Sequence, residues 1–568
     1  MTNLVTDVAE TVEANPDSAA IASDGAEVSY AQFWERAGRF ARALEEAGIG
    51  EGDRVGIYLP NLPQFVTAFY GTLRAGAIVV PMNPQYKARE IGHLLGDSGA
   101  KAVVSLADNV SQVAAVLDDT DVERVISVGE RRSPERESSS RDEDADVAGA
   151  IPFEAFLADD ALPIVDRADD DVAVQPYTSG TTGTPKGVLL THRNLAWTTR
   201  ANAAVPPGGF RASDRLIGTL PLFHIYGMSV VMNGAMYSGG TYYPVPEWDA
   251  AAVMDLLEDE GITIMFGVPA MFNDMINRPD ADGYAFDSLR FVNSGGASLP
   301  IEVLKRFEGL YGVQLNEGYG LTETSPVTHA NTPDARRKGS IGRPLDGVDA
   351  KVVDENFETV PRVGDGPIDE ESVASLTQRG EGSAERSSAN RSSGRSPRED
   401  GETAEAADLH EITGELVVSG PNVMKGYYGL PDANEEAFTE EGGRRWFHTG
   451  DVCYWDEDDF FYVVDREKHM IVTGGYNVYP REVEELLFEH EAVADAAVVG
   501  VPDERRGETV KAYVVPTLDA DATPDAIREY CLANLAAYKH PREVEFVDEL
   551  PRTATGKVQK FKIRDERA

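Results

Sequence analysis

Eleven consecutive residues, Tyr177-Thr-Ser-Gly-Thr-Thr-Gly-Thr-Pro-Lys-Gly187, combine backbone that can approach an anion with side chains that can bind one. Gly180, Gly183 and Gly187 have no side chain to hold a phosphate away from the amide N–H groups. The hydroxyls of Thr178, Ser179, Thr181 and Thr182 can donate to phosphate oxygens, and Lys186 adds a point charge. A Walker loop needs Gly-Lys-Ser/Thr together after four spacers, whereas here Thr184-Pro185 separates Gly183 from Lys186. Only 13 of the 52 basic residues are lysines, so a lysine within a glycine-rich string is less incidental than usual. A plain Gly/Thr turn is the structural alternative. The ordered hydroxyls, glycines and lysine directly after a β-rich run favour phosphate.

Other residues carry chemistry only in company. Glu323 ends Tyr-Gly-Leu-Thr-Glu and would by itself be a solvated turn carboxylate. Asp451 follows Thr449-Gly450, where an aspartate usually forms a turn or caps a helix, although a carboxylate can also accept from two ribose hydroxyls. His224, between Phe223 and Ile225, has the setting of a satisfied core histidine. Lys557, in Thr-Gly-Lys near the end of the sequence, would by default be a solvated tail lysine.

The elements that must position these residues alternate. Arg54–Leu59, Ala102–Ser105, Arg124–Val128, Ala173–Thr178, Arg215–Leu220, Ile262–Val268 and Arg290–Gly295 read as buried strands, and Tyr30–Ala47 and Asn61–Ala75 as helices. That pattern predicts an α/β fold with largely parallel sheets, whose ligands sit at the carboxyl ends of the strands. After Gly414 the text turns to strand pairs, ELVVSG and then DVCYWDEDDFFYVVDR. From about Lys468 a smaller α+β unit follows, with a helix from Pro480, strands in DAAVVGVPDERRGETVKAYVVP and a last helix around Pro524–Leu535. The fold class is therefore α/β: a large N-terminal lobe of layered α/β subdomains plus a β-rich subdomain, with a small mobile C-terminal α+β domain and a hinge near Asp465–Lys468.

Composition narrows the function. The 568 residues carry 97 acids against 52 basic residues, a net charge of −45, which opposes nucleic acid and anionic membranes as partners. An acid-rich, lysine-poor chain resembles proteins of extreme halophiles, whose self-repulsion is screened by concentrated salt. Cys453 and Cys531 exclude a disulfide scaffold and a four-cysteine metal site. No apolar run reaches the length of a membrane span, and the acidic first sixteen residues do not read as a signal peptide. The expectation is a cytoplasmic protein without stable membrane insertion. The stretches 131–146 and 366–410 are low-complexity and contain segments without large apolar residues, which predicts mobile surface insertions.

Seven further strings accompany the phosphate loop: PLFHIYG (Pro221–Gly227), NSGGASL (Asn293–Leu299), NEGYGLTET (Asn316–Thr324), GELVVSGPNVMKGYY (Gly414–Tyr428), HTGD (His448–Asp451), VVDREKHMIVTGGYNVYPREVE (Val463–Glu484) and PRTATGKVQK (Pro551–Lys560). With the loop, they resemble in order and spacing the AMP-forming adenylating superfamily of acyl-CoA synthetases, aryl-CoA ligases, luciferases and peptide-synthetase adenylation domains. The resemblance covers the chain apart from the two insertions. It implies an adenylation (AMP-binding) domain over 1–465 and a C-terminal lid domain over 466–568.

The resemblance also implies roles. Glu323 is the Mg²⁺ carboxylate, with Thr178 near the metal and Thr322 on the phosphate. Tyr319 offers a face to adenine, Gly296 and Ala297 line the opposite side, and Glu317 and Gly318 belong to the same nucleotide site. Asp451 takes the ribose with help from Arg466. His224 stands in the wall of the acyl pocket near the attacking carboxylate. Lys557 reaches across the domain interface to the acyl carboxylate and the α-phosphate. Lys468 marks the hinge, and Gly474 and Gly475 let the pantetheine arm pass close to the backbone. Where some branches have glycine before the arginine, this chain has Asp465, a departure that affects the subfamily but not the chemistry.

The implied reaction consumes ATP and CoA with Mg²⁺: a carboxylate forms acyl-AMP with release of pyrophosphate, and CoA then displaces AMP. The apolar residues around His224 and the run Gly267–Phe272 fit an aliphatic or aromatic tail. The whole most resembles haloarchaeal and bacterial medium- to long-chain fatty acid ligases, with an aryl acid as the second choice. The sequence ending at Ala568 and the Gly474-Gly475 pair favour CoA over a carrier protein. Intact Lys186, Glu323, Asp451, Arg466 and Lys557 oppose a non-catalytic nucleotide-binding protein. Whether the chain forms a homodimer is left open.

Overall fold

The computed structural model describes residues 3–129, 149–179, 185–363, 412–466, 469–473, 476–503, 505–517, 522–553 and 556–566. The insertions read at 131–146 and 366–410 lie outside these residues. The fold is mixed α/β, with a large N-terminal lobe and a smaller C-terminal domain.

Local signals set the first helices. Ser29 caps Tyr30–Glu46 in a reciprocal box with Gln32, and Phe33, Ala37, Phe40, Ala41 and Leu44 make its buried face. Pro63 opens Pro63–Arg74 at a position that needs no amide donor. Both helices match the sequence expectation apart from their end residues.

Two large sheets share one core. The first contains Leu315–Gly320, Phe291–Ser294, Ile264–Gly267, Arg215–Gly218, Thr241–Pro244 and Ala19–Ser23 as parallel neighbours in that order, with antiparallel strands at both edges. The second places Val172–Val174, Ile78–Pro81, Arg54–Tyr58, Ala100–Leu106 and Arg124–Val128 side by side in parallel. Val55, Ile57 and Val104 of the second sheet lie in the same apolar cluster as Leu216, Ile264 and Phe266 of the first. An antiparallel sheet of Asp349–Val353, Gly414–Ser419, Arg444–Trp455, Phe438–Glu441 and Phe461–Arg466 completes the large lobe.

The small lobe has its own core. Val483, Leu486 and Leu487 of the helix Pro480–Phe488 pack with Val498, Val510, Val514, Ile527 and Cys531 around a sheet built on the long hairpin Val493–Asp503 and Gly507–Pro516.

Three expectations change. Ala173–Thr178 is not one strand: Val172–Val174 belongs to the second sheet, while Tyr177–Ser179 turns away to pair with Pro185–Thr191. Pro176 lies between them and has no N–H to continue a ladder. Pro524–Asn534 is not the last helix, because Lys560–Glu566 follows it. The intervening strand Glu543–Phe546, parallel to Gly507–Pro516, was not anticipated from its charged pattern. Among the described residues no helix is long and apolar enough to cross a membrane.

Parallel order brings the loops after Gly218, Gly267, Ser294 and Gly320 to one end of the first sheet, and one side chain ties that end to the second sheet's helices. Asn61, 3 % exposed, donates to the carbonyls of Gly218 (2.8 Å) and Leu220 (2.9 Å) and accepts from the amide of Leu222 (2.7 Å). It thereby fixes the segment that leads into His224. Asn61→Leu strands the Leu220 carbonyl and the Leu222 amide, while the Gly218 carbonyl keeps the Val245 amide (3.0 Å), and is expected to cost about 2 kcal/mol or more. Urea unfolding of the two proteins measures this.

Candidate active site

The loop after Gly218 folds back on itself. A Cβ on Gly227 would lie 2.5 Å from the carbonyl of Pro221, so only glycine lets the π-helical turn Tyr226–Met232 begin there. His224 Nδ1 accepts from the Tyr226 amide (3.2 Å), which leaves Nε2 to carry the proton of a neutral ring. Burial, and then the charge of Lys557, pull its pKa down to about 4.

Lys557 arrives from the other lobe. Gly556 holds a left-handed φ of 77°, and a Cβ there would meet Val268 of the large lobe at 2.8 Å. Arg552 donates to the Gly556 carbonyl (2.6 Å), and the Lys557 amide donates to the Thr553 hydroxyl (3.1 Å). Lys557 then lines the same cavity of about 650 Å³ as Thr178, Lys186, His224, Gly296, Gly318, Tyr319, Thr322 and Glu323. An adjoining cleft between the lobes is walled by Ala297, Glu317, Asp451 and again Lys557.

At the phosphate end, Lys186 stands opposite Thr178 across an antiparallel pair whose tip, Gly180, Thr181, Thr182 and Gly183, lies outside the described residues. Ser179 is described only as backbone in that pair. The strand Gly426–Tyr427 adds to the edge of Pro185–Thr191 and brings a residue the sequence reading did not single out. Tyr427 sets its ring 4.9 Å from the Lys186 ammonium and donates its hydroxyl to Glu323 Oε1 at 2.9 Å. Glu323 occupies a 3₁₀ turn, Thr322–Thr324, whose carbonyl at Glu323 accepts from the Met424 amide (2.8 Å).

At the nucleoside end, Tyr319 donates its hydroxyl to the buried carboxylate of Asp451. The Asp451 amide is held by Thr449 (3.2 Å), and Glu415 grips the neighbouring turn through the Gly450 amide (2.9 Å) and His448 (2.8 Å). Arg466 is Asp451's register partner on the next strand. The remaining expected residues, Lys468, Gly474 and Gly475, lie outside the described residues. Glu317 lies in the cleft wall with its carboxylate turned to the Leu299 amide (3.4 Å), and burial pushes it up to about 7. Its carbonyl is taken by Asn331.

The tail pocket is built differently from the expectation. Asn202, Val205, Phe223, Tyr226, Phe266, Phe291 and Asn293 form its walls, and Asn293 donates to the Tyr226 hydroxyl (3.0 Å). The run Gly267–Phe272 does not line this cavity: Pro269 and Ala270 wall the adjoining cleft, Phe272 packs on Phe307 in a separate core, and Val268 and Ala270 receive Gly556. Ile225 and Met228 are buried in the main core. An apolar run on a strand end does not say which of its residues face a cavity. Both cysteines are buried, and burial pushes Cys531 up to about 12, so neither is a ready nucleophile.

The arrangement joins a lysine-bearing hairpin beside a carboxylate, a second buried carboxylate, an apolar pocket and a cation from a second lobe. Residues 8–369 match the AMP-binding enzyme family, and residues 482–557 match the AMP-binding enzyme C-terminal domain. The chain belongs to this family. A long-chain-fatty-acid–CoA ligase of Bacillus subtilis (strain 168) is 34% identical over 97% of this chain and 92% of its own length. A feruloyl-CoA synthase of an Amycolatopsis species is 34% identical over 97% and 96%. Among solved structures, ATP-bound MatB from Rhodopseudomonas palustris superposes with a TM-score of 0.81 at 28% identity, over 100% of this chain and 98% of that one.

The shared cavity gives His224 a testable signature. Its ring is expected to stay neutral between about pH 5 and 8, and Lys557→Met, by removing a nearby positive charge, should raise its pKa. Histidine-ring carbon NMR titration of the two proteins reads both.

Proposed function

We propose that this chain is an AMP-forming acid–thiol ligase that activates a carboxylic acid with ATP and transfers the acyl group to CoA. The observation that carries the reading is that Lys557 of the small lobe enters a cavity lined also by His224, Tyr319, Lys186 and Glu323. In the first half-reaction a substrate carboxylate oxygen attacks the α-phosphorus in line, and the bond to pyrophosphate breaks. In the second, the CoA sulfur attacks the acyl carbon, the thiol proton leaves and AMP departs.

The roles follow from position. Lys557 places a fixed positive charge where negative charge grows on the phosphorus. Lys186 and Thr178 bind the outgoing phosphates. Asp451 accepts from the ribose hydroxyls, trading its tyrosine donor for them, while Tyr319 bounds the adenine slot. Neutral His224 orients the acid through Nε2–H. No protein nucleophile is needed, which agrees with two buried thiols.

Magnesium fits the donors present. Mg²⁺ takes few protein carboxylates, several waters and the substrate's phosphate oxygens. Glu323, with Thr178 nearby in the cavity, is such a set, and among the described residues no cluster of three acids or histidines competes with it. Mg²⁺ there would neutralise charge on the phosphates.

For the acid, we propose a medium- to long-chain fatty acid. The aryl acid is the second reading, favoured by the ring-lined pocket of Phe223, Tyr226, Phe266 and Phe291. We also assign the adenylation domain to residues 1–465 and the lid to 466–568, with Lys468 at the hinge and Gly474-Gly475 beside the pantetheine arm. The excess of 97 acids over 52 basic residues supports a cytoplasmic protein adapted to concentrated salt.

The test is pyrophosphate–ATP exchange in molar KCl with octanoate, palmitate, benzoate and ferulate, followed by CoA. Exchange with one acid class, and thioester once CoA is added, is expected; exchange without thioester would replace CoA by another acceptor. Lys557→Ala should lower exchange by about 10²-fold or more while thioester formation from ready-made acyl-AMP falls far less. Glu323→Gln should raise the magnesium concentration for half-maximal exchange by about tenfold.

A further inference from the structure

Arg481 begins the helix Pro480–Phe488 of the small lobe, yet its contacts run to the large one. Its guanidinium donates to the Val463 carbonyl (2.6 Å), and its amide donates to the Asp465 carboxylate (3.3 Å), both on the last strand of the antiparallel sheet. The buried carboxylate of Glu317, on the first sheet, lines the same cleft and adds its negative charge to the guanidinium's surroundings. Arg481 Nε also stands 3.6 Å from Glu485 one turn on, and the second oxygen of Glu485 accepts the amide of Ile301 (3.3 Å), at the start of the large-lobe helix Ile301–Tyr311. Burial alone would lower the arginine's pKa; Glu485, Glu317 and Asp465 outweigh it and hold it above its ordinary value.

We propose that Arg481 and Glu485 are positioning residues of the adenylating orientation, a charged latch that holds the small lobe where Lys557 enters the cavity. The proposal rests on the two-step reading above. The helix is anchored to its own lobe by Val483, Leu486 and Leu487, so Arg481 and Glu485 are not needed to fold that lobe. Their other contacts cross to groups in three separate large-lobe elements and fix both the rotation and the distance of approach. A largely covered ionic contact also suits a joint that must open. The desolvation of Arg481, Glu485 and Glu317 offsets much of their mutual attraction, so the contact selects an orientation without making it permanent. Asn273 adds one neutral bond across the same boundary, to the Ala494 carbonyl (2.9 Å).

The latch should matter to one half-reaction only. Arg481→Gln and the isosteric Glu485→Gln are compared with wild type in octanoate-dependent pyrophosphate exchange and in thioester formation from octanoyl-AMP and CoA. Exchange is expected to fall about tenfold or more, thioester formation to stay within about twofold, and Arg481→Lys to lie between. Hydrogen exchange of the segments 265–272 and 556–560, which meet at Gly556 and Val268, should rise in Arg481→Gln without substrate. Equal losses in both half-reactions, or no loss in the first, overturn the latch. A wild type inactive in both assays strikes the two-step reading alone; the latch then stands or falls on the rise in hydrogen exchange, and an unchanged pattern overturns it.

Discussion

Lys557 belongs to one lobe, and the groups it must act beside belong to the other. A cation that stabilises growing charge is worth most when it is fixed and dry, so the reaction depends on how accurately the lobes meet. That demand explains features with no role in either lobe alone. The left-handed Gly556 settles against Val268, where any Cβ would collide at 2.8 Å. Arg552 braces the turn from behind. Val268 and Ala270, just after a central strand, serve as the seat for that turn, and Ala270 also walls the cleft between the lobes.

The phosphate end meets a similar constraint by a different route. Lys186 lies on the hairpin strand Pro185–Thr191 and Glu323 on the 3₁₀ turn after the first sheet's Leu315–Gly320, yet both line one cavity. The short strand Gly426–Tyr427 bridges them: it pairs with Pro185–Thr191 on one side, while the preceding Met424 amide takes the carbonyl of Glu323 on the other. Tyr427 then touches both side chains, its ring toward the ammonium and its hydroxyl on the carboxylate. Burial first, then the carboxylate of Glu323, hold that phenol above its ordinary pKa, so it remains a donor. The β-rich subdomain thus does more than fill space between the lobes; it sets the spacing between cation and carboxylate.

Much of this was legible, the layers from the alternation of elements and the site residues from the resemblance carried by the ordered strings. Alternating strands and helices gave the α/β layers, and Lys186, Thr178, His224, Tyr319, Glu323 and Lys557 do line one cavity. What escaped depends on contacts between distant segments. Asn61 reads as the first residue of a helix, and only the folded chain shows its amide holding three backbone groups between Gly218 and Leu222. Arg481 and Glu485 were not singled out, because no local pattern in a helix from Pro480 says that a second lobe covers one of its faces. The misread strand at Ala173–Thr178 had a local cause in Pro176, which breaks the ladder and redirects the phosphate hairpin.

The tail pocket separates the chemistry of the reaction from the choice of acid. The polar groups sit on strand ends and turns fixed by backbone hydrogen bonds. The walls are rings held by rings: Phe266 meets Tyr226 at 6.1 Å, Phe291 at 5.8 Å and Phe210 at 6.2 Å between centroids. Gly295 lets the Tyr226 hydroxyl come close, since a Cβ there would lie 2.9 Å from it, and Asn293 then pins that hydroxyl. Exchanging one ring would reshape the pocket without disturbing Lys557, Asp451 or Glu323. The same polar groups can therefore stand beside walls of a different shape, and the rings around Phe266 are the part of the cavity that the ordered strings around Lys186, Glu323 and Asp451 do not fix.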